Sequence, residues 1–200
     1  MNYTGPKVKI SRKLGINLTP KAGKVSTRKP YPPGAHGANK RRAKQSDYGR
    51  QLLEKQRLRM QYNLSEKQMS NFYKRAVAIT GNTADILVQL LESRLDALVY
   101  RSGFAPTIYS ARQLINHGHI FVNSKRVTIA SYQLRVNDVL SVKEKSRKID
   151  IVQDSIRNIN APAYLEVSKA DFTSKFAYIP HKEEVPIQCE LPLVVEFYSR

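Results

Sequence analysis

Two pairs of side chains in this 200-residue sequence have the types and spacing for metal or acid–base chemistry. His117 and His119 flank a glycine and could ligate a metal, but no third ligand stands near them in the sequence. Glu92 and Asp96 are four residues apart, so they share one helix face and could act as an acid and a base. Arg94 and the surrounding leucines favour ion pairing beside a core instead. We therefore predict neither a metal site nor catalysis at these positions.

The rest of the sequence lacks the patterns that catalysis or cofactor binding would need. It contains neither a glycine-rich phosphate loop nor a dinucleotide-binding glycine pattern. The single cysteine, Cys189, excludes an intramolecular disulfide and a cysteine-rich zinc site. The neighbouring Glu190 would raise the pKa of its thiol, so Cys189 is interpreted as an inert small side chain. We predict no enzyme activity, no cofactor and no metal.

Net charge is the strongest signal in the composition. The 34 Lys and Arg against 16 Asp and Glu give +18, distributed as +14 over residues 1–60, +6 over 61–150 and −2 over 151–200. Such a potential favours a polyanionic partner, because each neutralised phosphate releases condensed counterions. An anionic membrane surface would favour a basic amphipathic helix that bears Trp, Phe and Leu, and we expect no such helix in the basic N-terminal segment of this sequence, which has no Trp. Nucleic acid is therefore the predicted partner, with no membrane.

Residues 1–45 are predicted to form a basic extended arm. They contain twelve Lys and Arg and no acid, and their prolines and glycines interrupt any helical period. We expect the arm to be mobile when free, to order on its partner, and to be removable through residue 42 without loss of the fold. A disordered solubility tail is the alternative, but Tyr3, Tyr31 and His36 supply planar groups that can stack on bases.

Residues 46–91 are predicted to form a helical domain. Ser46 can cap a helix to about Gln61, a capping-box pattern at residues 65–68 begins a second helix, and Asn82 or Thr83 caps a third that ends at Gly103. One face of the first helix mixes cations with aromatic and polar side chains, as a surface for phosphates and bases would. A solvated basic face is the alternative. This face comprises Tyr48, Gln51, Leu52, Lys55, Arg59 and Tyr62.

Residues 92–158 are predicted to form a helix packed on a small antiparallel sheet. Thr107 caps a short helix that Gly118 ends, and a strand–turn–strand pattern follows, with its turn at Asn123 and Ser124. A third strand covers Val139–Val142. The outer side of this unit is predicted to carry five polar side chains: Arg112, Gln113, His117, Lys125 and Arg126.

Residues 159–200 are predicted to hold strands near 161–167 and 193–197, joined by loops that contain proline. Their slightly acidic balance argues against broad nucleic-acid contact. We expect part of this segment to complete the helical domain and pack back on it, or to meet a basic protein neighbour. The predicted fold class is α+β: a basic extended N-terminal arm, a helical domain, and a small helix-plus-antiparallel-sheet module.

Several sequence strings, in order along nearly the whole chain, resemble the bacterial-type small-subunit ribosomal protein S4 family. They lie at residues 3–7, 32–37, 46–49, 53–56, 90–96, 111–123 and 195–200. The resemblance implies that the helix-plus-sheet module is that family's S4 RNA-binding domain. It also implies a structural component of the small ribosomal subunit, cytoplasmic and bacterial rather than organellar, with no homo-oligomer expected.

The resemblance implies a more specific function as well. The protein would be a primary rRNA-binding protein that nucleates assembly at a multi-helix junction in the 5′ domain of 16S-type rRNA. It would lie beside the channel through which mRNA enters, influence translational accuracy, and contact the neighbouring ribosomal protein uS5. Some family members bind zinc through cysteines in the arm, but Val8, Lys9 and Arg12 occupy that neighbourhood here, so no metal is expected.

The sequence also departs from the family in the module, where residues 108–110 replace a more charged stretch and Ser124 stands where glycine is usual. The four cations from 40 to 44 would lie near incoming mRNA. The predicted RNA-binding residues are Tyr3, Lys7, Arg12, Lys13, Tyr31, His36, Lys40, Arg41, Arg42, Lys44, Tyr48, Gln51, Lys55, Arg59, Arg112, Gln113, His117, Lys125 and Arg126.

Two other functions remain open to a chain with this module. It is appended to the catalytic domains of RNA-modifying enzymes and tRNA ligases, although neither the roughly 100 residues before it nor the roughly 55 after it carry a catalytic signature. A regulator that binds messenger RNA is the second alternative. Stoichiometric sedimentation with small subunits in high salt would distinguish a structural component from both.

Overall fold

The structure is a computed structural model that describes residues 3–38 and 46–200. Contacts divide the chain into two compact units, Met1–Lys74 with Ile187–Arg200 and Arg75–Pro186. The described residues form nine α-helices: α1 (Lys7–Leu14), α2 (Pro20–Arg28), α3 (Asp47–Gln61), α4 (Glu66–Val77), α5 (Thr83–Glu92), α6 (Leu95–Arg101), α7 (Ile108–Asn116), α8 (Asp150–Arg157) and α9 (Leu191–Tyr198). They also form five strands: β1 (Ile120–Val122), β2 (Lys125–Arg126), β3 (Val139–Val142), β4 (Leu165–Ser168) and β5 (Thr173–Phe176). The predicted α+β class is confirmed.

Helix starts follow the local capping signals in the sequence. The Ser46 hydroxyl accepts a hydrogen bond from the Gly49 amide at 3.1 Å, which caps α3. Ser65 and Gln68 exchange hydrogen bonds at the start of α4, as a capping box requires. Asn82 caps α5 and Thr107 caps α7 by accepting from backbone amides two and three residues ahead. These four predicted starts are confirmed.

The expectation of an extended arm is wrong for residues 7–28, which form α1 and α2. Gly15 ends α1 with a φ of 69°, so this glycine stops a helix rather than preventing one. Leu14 and Ile16 are buried against Met60 of α3, with further half-buried apolar side chains packed around them. The expectation that this segment shares no core is therefore wrong too, because one apolar stripe of α1 is enough to dock it on α3.

The C-terminal strand predicted near 193–197 is also wrong, because these residues lie in α9. Its run of Leu and Val fits a buried strand and a short buried helix equally well. Pro192 stands in the first turn of α9, where proline is tolerated because the amide would be unpaired anyway. α9 packs against α3, and Val194 of α9 is fully buried. The partner helix, rather than the local sequence, decides the conformation.

The second unit is built on one antiparallel sheet with strand order β2-β1-β3-β5-β4. The hairpin predicted at Asn123 and Ser124 is confirmed, and both residues adopt positive φ angles of 48° and 64°, which suits a tight two-residue turn. The predicted third strand is confirmed as β3. The predicted strand near 161–167 corresponds in part to β4, whereas β5 and α8 were not predicted. The single helix predicted to end at Gly103 is instead broken after Glu92 into α5 and α6.

The core of the second unit lies between α5, α6 and α7 and one face of the sheet. Alternate residues of β1 and β3 point into it, so that Ile120 and Leu140 are fully buried while Phe121 and Ser141 are only half-buried. A run of fully buried leucines from α5 and α6 completes it: Leu87, Leu91, Leu95 and Leu98.

Replacement of Leu14 by Ala tests whether α1 belongs to the folded unit. We expect Leu14→Ala to lower the free energy of unfolding by about 3 kcal/mol, because it removes a buried side chain that packs with Met60. Urea unfolding measures this loss. Lys9→Ala in the same helix removes an exposed side chain and should change the stability by less than about 0.5 kcal/mol. Equal effects of the two substitutions would show that α1 does not pack in solution.

Candidate nucleic-acid interface

A buried carboxylate joins the helices that carry the outer surface of the second unit. Asp96 at the start of α6 is fully buried and accepts hydrogen bonds from Arg94 at 3.0 and 2.7 Å. It also accepts a hydrogen bond from Nε of Arg112 in α7 at 2.7 Å. A buried carboxylate without such partners would carry a desolvation cost of several kcal/mol. The predicted ion pairing beside a core is confirmed for Asp96.

A second buried carboxylate, Glu92, joins α5 to α6 and to the segment before β4. Arg101 donates to Glu92 at 2.9 Å, and the Tyr164 hydroxyl donates at 3.0 Å. Burial raises the pKa of Tyr164 above its ordinary value, and the Glu92 charge raises it further. Tyr164 therefore stays protonated and remains a donor. The two carboxylates are structural groups, each enclosed by its own donors.

Arg112 is the module residue whose predicted position is wrong. It is 7 % exposed, and its guanidinium forms an ion pair with Asp96. Helix periodicity places Arg112 at the boundary between the buried and the exposed face of α7, and the buried carboxylate attracts its side chain inward. The other four side chains predicted on the outer side are exposed: Gln113, His117, Lys125 and Arg126.

Positive charge gathers where α7 ends and β1 begins. The rings of His117 and His119 lie with their centroids 6.1 Å apart, and the Lys143 amide donates to the His119 carbonyl at 2.9 Å. Burial lowers the pKa of His119, and the charges of His117, Lys143 and Arg126 lower it further. The neighbours that lower the pKa of His119 create a local positive potential, which a phosphate would relieve. We name His117, His119, Arg126 and Lys143 the module cluster.

Sequence reasoning missed two members of the module cluster. His119 was interpreted as half of a polar pair at a helix end rather than as a metal ligand, and it was not among the predicted RNA-binding residues; Lys143 was not considered. The feature that could have identified them is the antiparallel pairing of β1 with β3, in which Ile120 lies opposite Val142. That register brings the residue after β3 beside the residue before β1. Gly118 has a φ of 74°, and a Cβ there would collide with the Arg126 side chain, so glycine lets this arginine lie across the end of α7.

The basic face predicted on α3 is largely an interior surface. Lys55 is 5 % exposed, its Nζ lies 2.9 Å from the Glu66 carboxylate, and it stands 4.4 Å from the ring centroid of Phe197. Gln51 is equally buried and donates to Glu196 at 2.9 Å. The prediction of an exposed face is therefore wrong for both residues, because α9 covers this side of α3.

The contact between α3, α4 and α9 centres on Glu66. Tyr198 donates to its carboxylate at 2.7 Å and stacks on Tyr73 with ring centroids 5.0 Å apart. Burial raises the pKa of Glu66, but the hydrogen bonds from Lys55 and Tyr198 outweigh it and hold that pKa below its usual value. Lys55 is thus a buried side chain whose charge is bound by Glu66 inside the first unit.

The remaining predicted residues of the first unit fall into three situations. Tyr3, Lys13 and Arg59 line one cavity. Arg12 donates to the Tyr31 carbonyl at 2.9 Å and lies 5.0 Å from the centre of its ring, which fastens the loop after α2 to α1. The others are half-buried or exposed at separate places, namely Lys7, His36 and Tyr48. The predictions for Lys40, Arg41, Arg42 and Lys44 lie outside the described residues.

Within residues 3–38 and 46–200, no group of three or more His, Cys, Asp or Glu could hold a metal ion. None of the helices described is long and apolar enough to cross a membrane. Cys189 is half-buried, and burial together with the Glu54 charge raises the pKa of its thiol to about 12. That thiol is therefore not a nucleophile at neutral pH.

The fold and its exposed cations define a binding protein suited to polyanions. A family model described as the ribosomal protein S4/S9 N-terminal domain matches residues 2–92, and a model described as the S4 domain matches residues 93–140. A relative named small ribosomal subunit protein uS4 from Thermobifida fusca is 45 % identical over 100 % of both chains. Proteins of the same name from Chlorobaculum tepidum and Brevibacillus brevis are 45 % and 46 % identical over 99 % of this chain and 98 % of each relative. The chain therefore belongs to the uS4 family of small ribosomal subunit proteins, which are ribosomal structural proteins and not enzymes.

A pair of substitutions separates the buried cation of the module from an exposed one. We expect Arg112→Ala to lower the free energy of unfolding by roughly 3 kcal/mol, because it removes one partner of a buried carboxylate. Lys125→Ala, which removes an exposed lysine of β2, should change it by less than about 0.5 kcal/mol. Urea unfolding of both variants measures the difference. A stable Arg112→Ala protein would contradict the structural role of this arginine.

Proposed function

We propose that this chain is a structural component of the small ribosomal subunit that binds small-subunit rRNA through phosphates held by preformed cationic surfaces. The observation that carries the proposal is the module cluster, in which the centroids of the His117 and His119 rings lie 6.1 Å apart, the Lys143 amide donates to the His119 carbonyl, and Arg126 lies beside Gly118. Membership of the uS4 family and the S4 domain model support it.

The mode of recognition follows from the shape of folded RNA. The major groove of A-form RNA is too deep and narrow for side chains to read, so a protein recognises the spacing of phosphates and the unpaired bases. Lys125 and Arg126 of β2 stand on the edge strand of the sheet, and His117 stands at the end of α7. These cations therefore stand on or directly beside folded secondary-structure elements.

The first unit supplies a second cationic surface on α1 and α2. Residues 1–45 contain no acid that could neutralise it. Close phosphates from several strands meet where RNA helices join, and cations held on folded elements would relieve their repulsion in one arrangement. The exposed cations of α1, α2 and the residue after α2 are Lys9, Lys13, Lys21, Lys24, Arg28 and Lys29.

The more specific role that we propose is that of a primary binder. The chain would bind early at a multi-helix junction of the rRNA 5′ domain and nucleate assembly there. The family resemblance supports this role, together with a position by the channel through which mRNA enters, an influence on translational accuracy, and a contact with uS5. The charge of the two units supports early binding, because an electrostatic surface attracts naked rRNA without help from other proteins.

Charge removal at β2 tests the proposal directly. We expect Lys125→Ala to weaken binding to a transcript of the 16S rRNA 5′ domain and to reduce the slope of log K against log salt by about 0.7 to 0.9. Filter binding between 50 and 300 mM salt measures both quantities.

The matched control is Lys169→Ala. Lys169 lies in the turn between β4 and β5, near the opposite edge of the sheet, and its loss makes the same change in net charge. This variant should keep the slope of the original protein. If both variants changed the slope equally, only net charge would matter, and the assignment of the β2 edge to RNA would be wrong.

A further inference from the structure

A cavity of about 500 Å³ opens beside α1 and α3 in the first unit. Its apolar walls include Leu52, Leu53 and Met60 of α3 and Leu14 of α1. Its volume lies within the range of sites that take small organic ligands. An apolar interior of this size favours a flat organic group over a bare phosphate.

The polar lining of the cavity is cationic and aromatic. Tyr3, Lys13, Gln56 and Arg59 contribute to it, and no acidic residue is among its lining residues. The backbone amide of Tyr3 donates to the side chain of Asn63 at 3.3 Å, which ties the N-terminal segment to the end of α3. An aromatic ring, an amide and two cations are the groups that bind an unpaired nucleotide: the ring stacks, the amide reads a base edge, and the cations hold phosphates.

The guanidinium of Arg59 is only partly satisfied by the protein. Its Nε is buried and has no hydrogen-bond partner among the described residues, and its Nη1 lies 3.8 Å from the Glu66 carboxylate, which is already engaged by Lys55 and Tyr198. A buried donor without an acceptor is unfavourable and rare in folded proteins. The separation between Nη1 and Glu66 is long and that carboxylate has nearer partners, so the Arg59 charge is available to a phosphate at the cavity wall.

We propose that this cavity binds one unpaired nucleobase of the RNA together with an adjoining phosphate. Tyr3 stacks on the base, Gln56 hydrogen-bonds its edge, and Lys13 and Arg59 hold the phosphate. The inference rests on the proposed function, which supplies the RNA, and adds to it a base-binding site outside the S4 domain. The cationic rim favours a nucleotide over an apolar side chain from a neighbouring protein.

Two glycines shape the cavity and offer a way to close it. A Cβ at Gly5 would collide with the Tyr3 ring, so glycine lets that ring fold back over the chain. Gly49 lines the cavity on α3, and a Cβ there would meet only the Ser46 hydroxyl, at 3.2 Å. Leucine at position 49 would therefore add a side chain at a position that lines the cavity. Gly23 in α2 is a matched helical glycine outside the cavity lining, where a Cβ has ordinary contacts.

The Met60 methyl group reports on the cavity. The chain has three methionines, of which Met60 lines the cavity and Met69 is fully buried in α4, so the methyl NMR spectrum of the full chain is simple. A single-stranded adenosine hexamer should move the Met60 signal upfield by the ring current of an inserted base and leave Met69 in place. An abasic sugar-phosphate hexamer of equal charge should leave both signals in place.

Leucine substitutions at Gly49 and at the control position Gly23 complete the test. Gly49→Leu should bind the adenosine hexamer about tenfold more weakly and lose the Met60 shift, whereas Gly23→Leu should behave as the original protein. Thermal unfolding confirms that both variants fold. If the abasic hexamer moved the Met60 signal as much as the adenosine hexamer does, the proposal of a base site would be wrong. It would also be wrong if Gly49→Leu and Gly23→Leu bound the adenosine hexamer with equal affinity.

The two proposals fail in different ways. If the original protein binds the 5′-domain transcript but the adenosine hexamer leaves Met60 unmoved, the base site is wrong and the proposed function stands. If the original protein does not bind the transcript, the proposed function itself is wrong, and the base site falls with it.

Discussion

The buried carboxylate of Asp96 is the constraint on which the second unit depends. It must be satisfied inside the protein, and Arg94 and Arg112 meet that need from two sides. The start of α6 and the middle of α7 are thereby fixed to each other. Glu92 does the same for α5, α6 and Tyr164. Because the loss of one partner would leave a charge uncompensated, the geometry of these helices is held tightly.

The buried ion pairs leave the charge excess of the chain, +18, unchanged. Glu92 and Asp96 lie inside the second unit with arginines as partners, and Glu54 lies inside the first beside Arg57. These three buried acids are matched in number by three buried cations, Lys55, Arg94 and Arg112, so among the described residues the excess of lysine and arginine lies at half-buried and exposed positions. The module cluster stands at the end of α7, a helix that Arg112 anchors. The buried ion pairs therefore fix the position of helices such as α7, and the cations at the exposed end of α7 are positioned as a result.

Local signals predicted much of the fold. The caps at Ser46 and Thr107 and the turn at Asn123 depend on neighbouring residues, so the sequence specifies them directly. The α9 helix and the burial of Lys55 were missed because each depends on a partner more than 100 residues away in sequence. The predicted exposure of Arg112 was wrong for a related reason. Periodicity shows which face of a helix a residue occupies, but it does not show that a buried carboxylate from another helix lies next to that residue.

The central claim is that the cationic surfaces are preformed on folded elements before RNA binds. Native-state hydrogen exchange on the RNA-free protein tests it most directly, with amides of α1 and α7 compared with those of α3. The account predicts that backbone amides in all three helices exchange far more slowly than in an unfolded chain. Exchange of α1 or α7 amides at unfolded-chain rates until the 5′-domain transcript is added would contradict it.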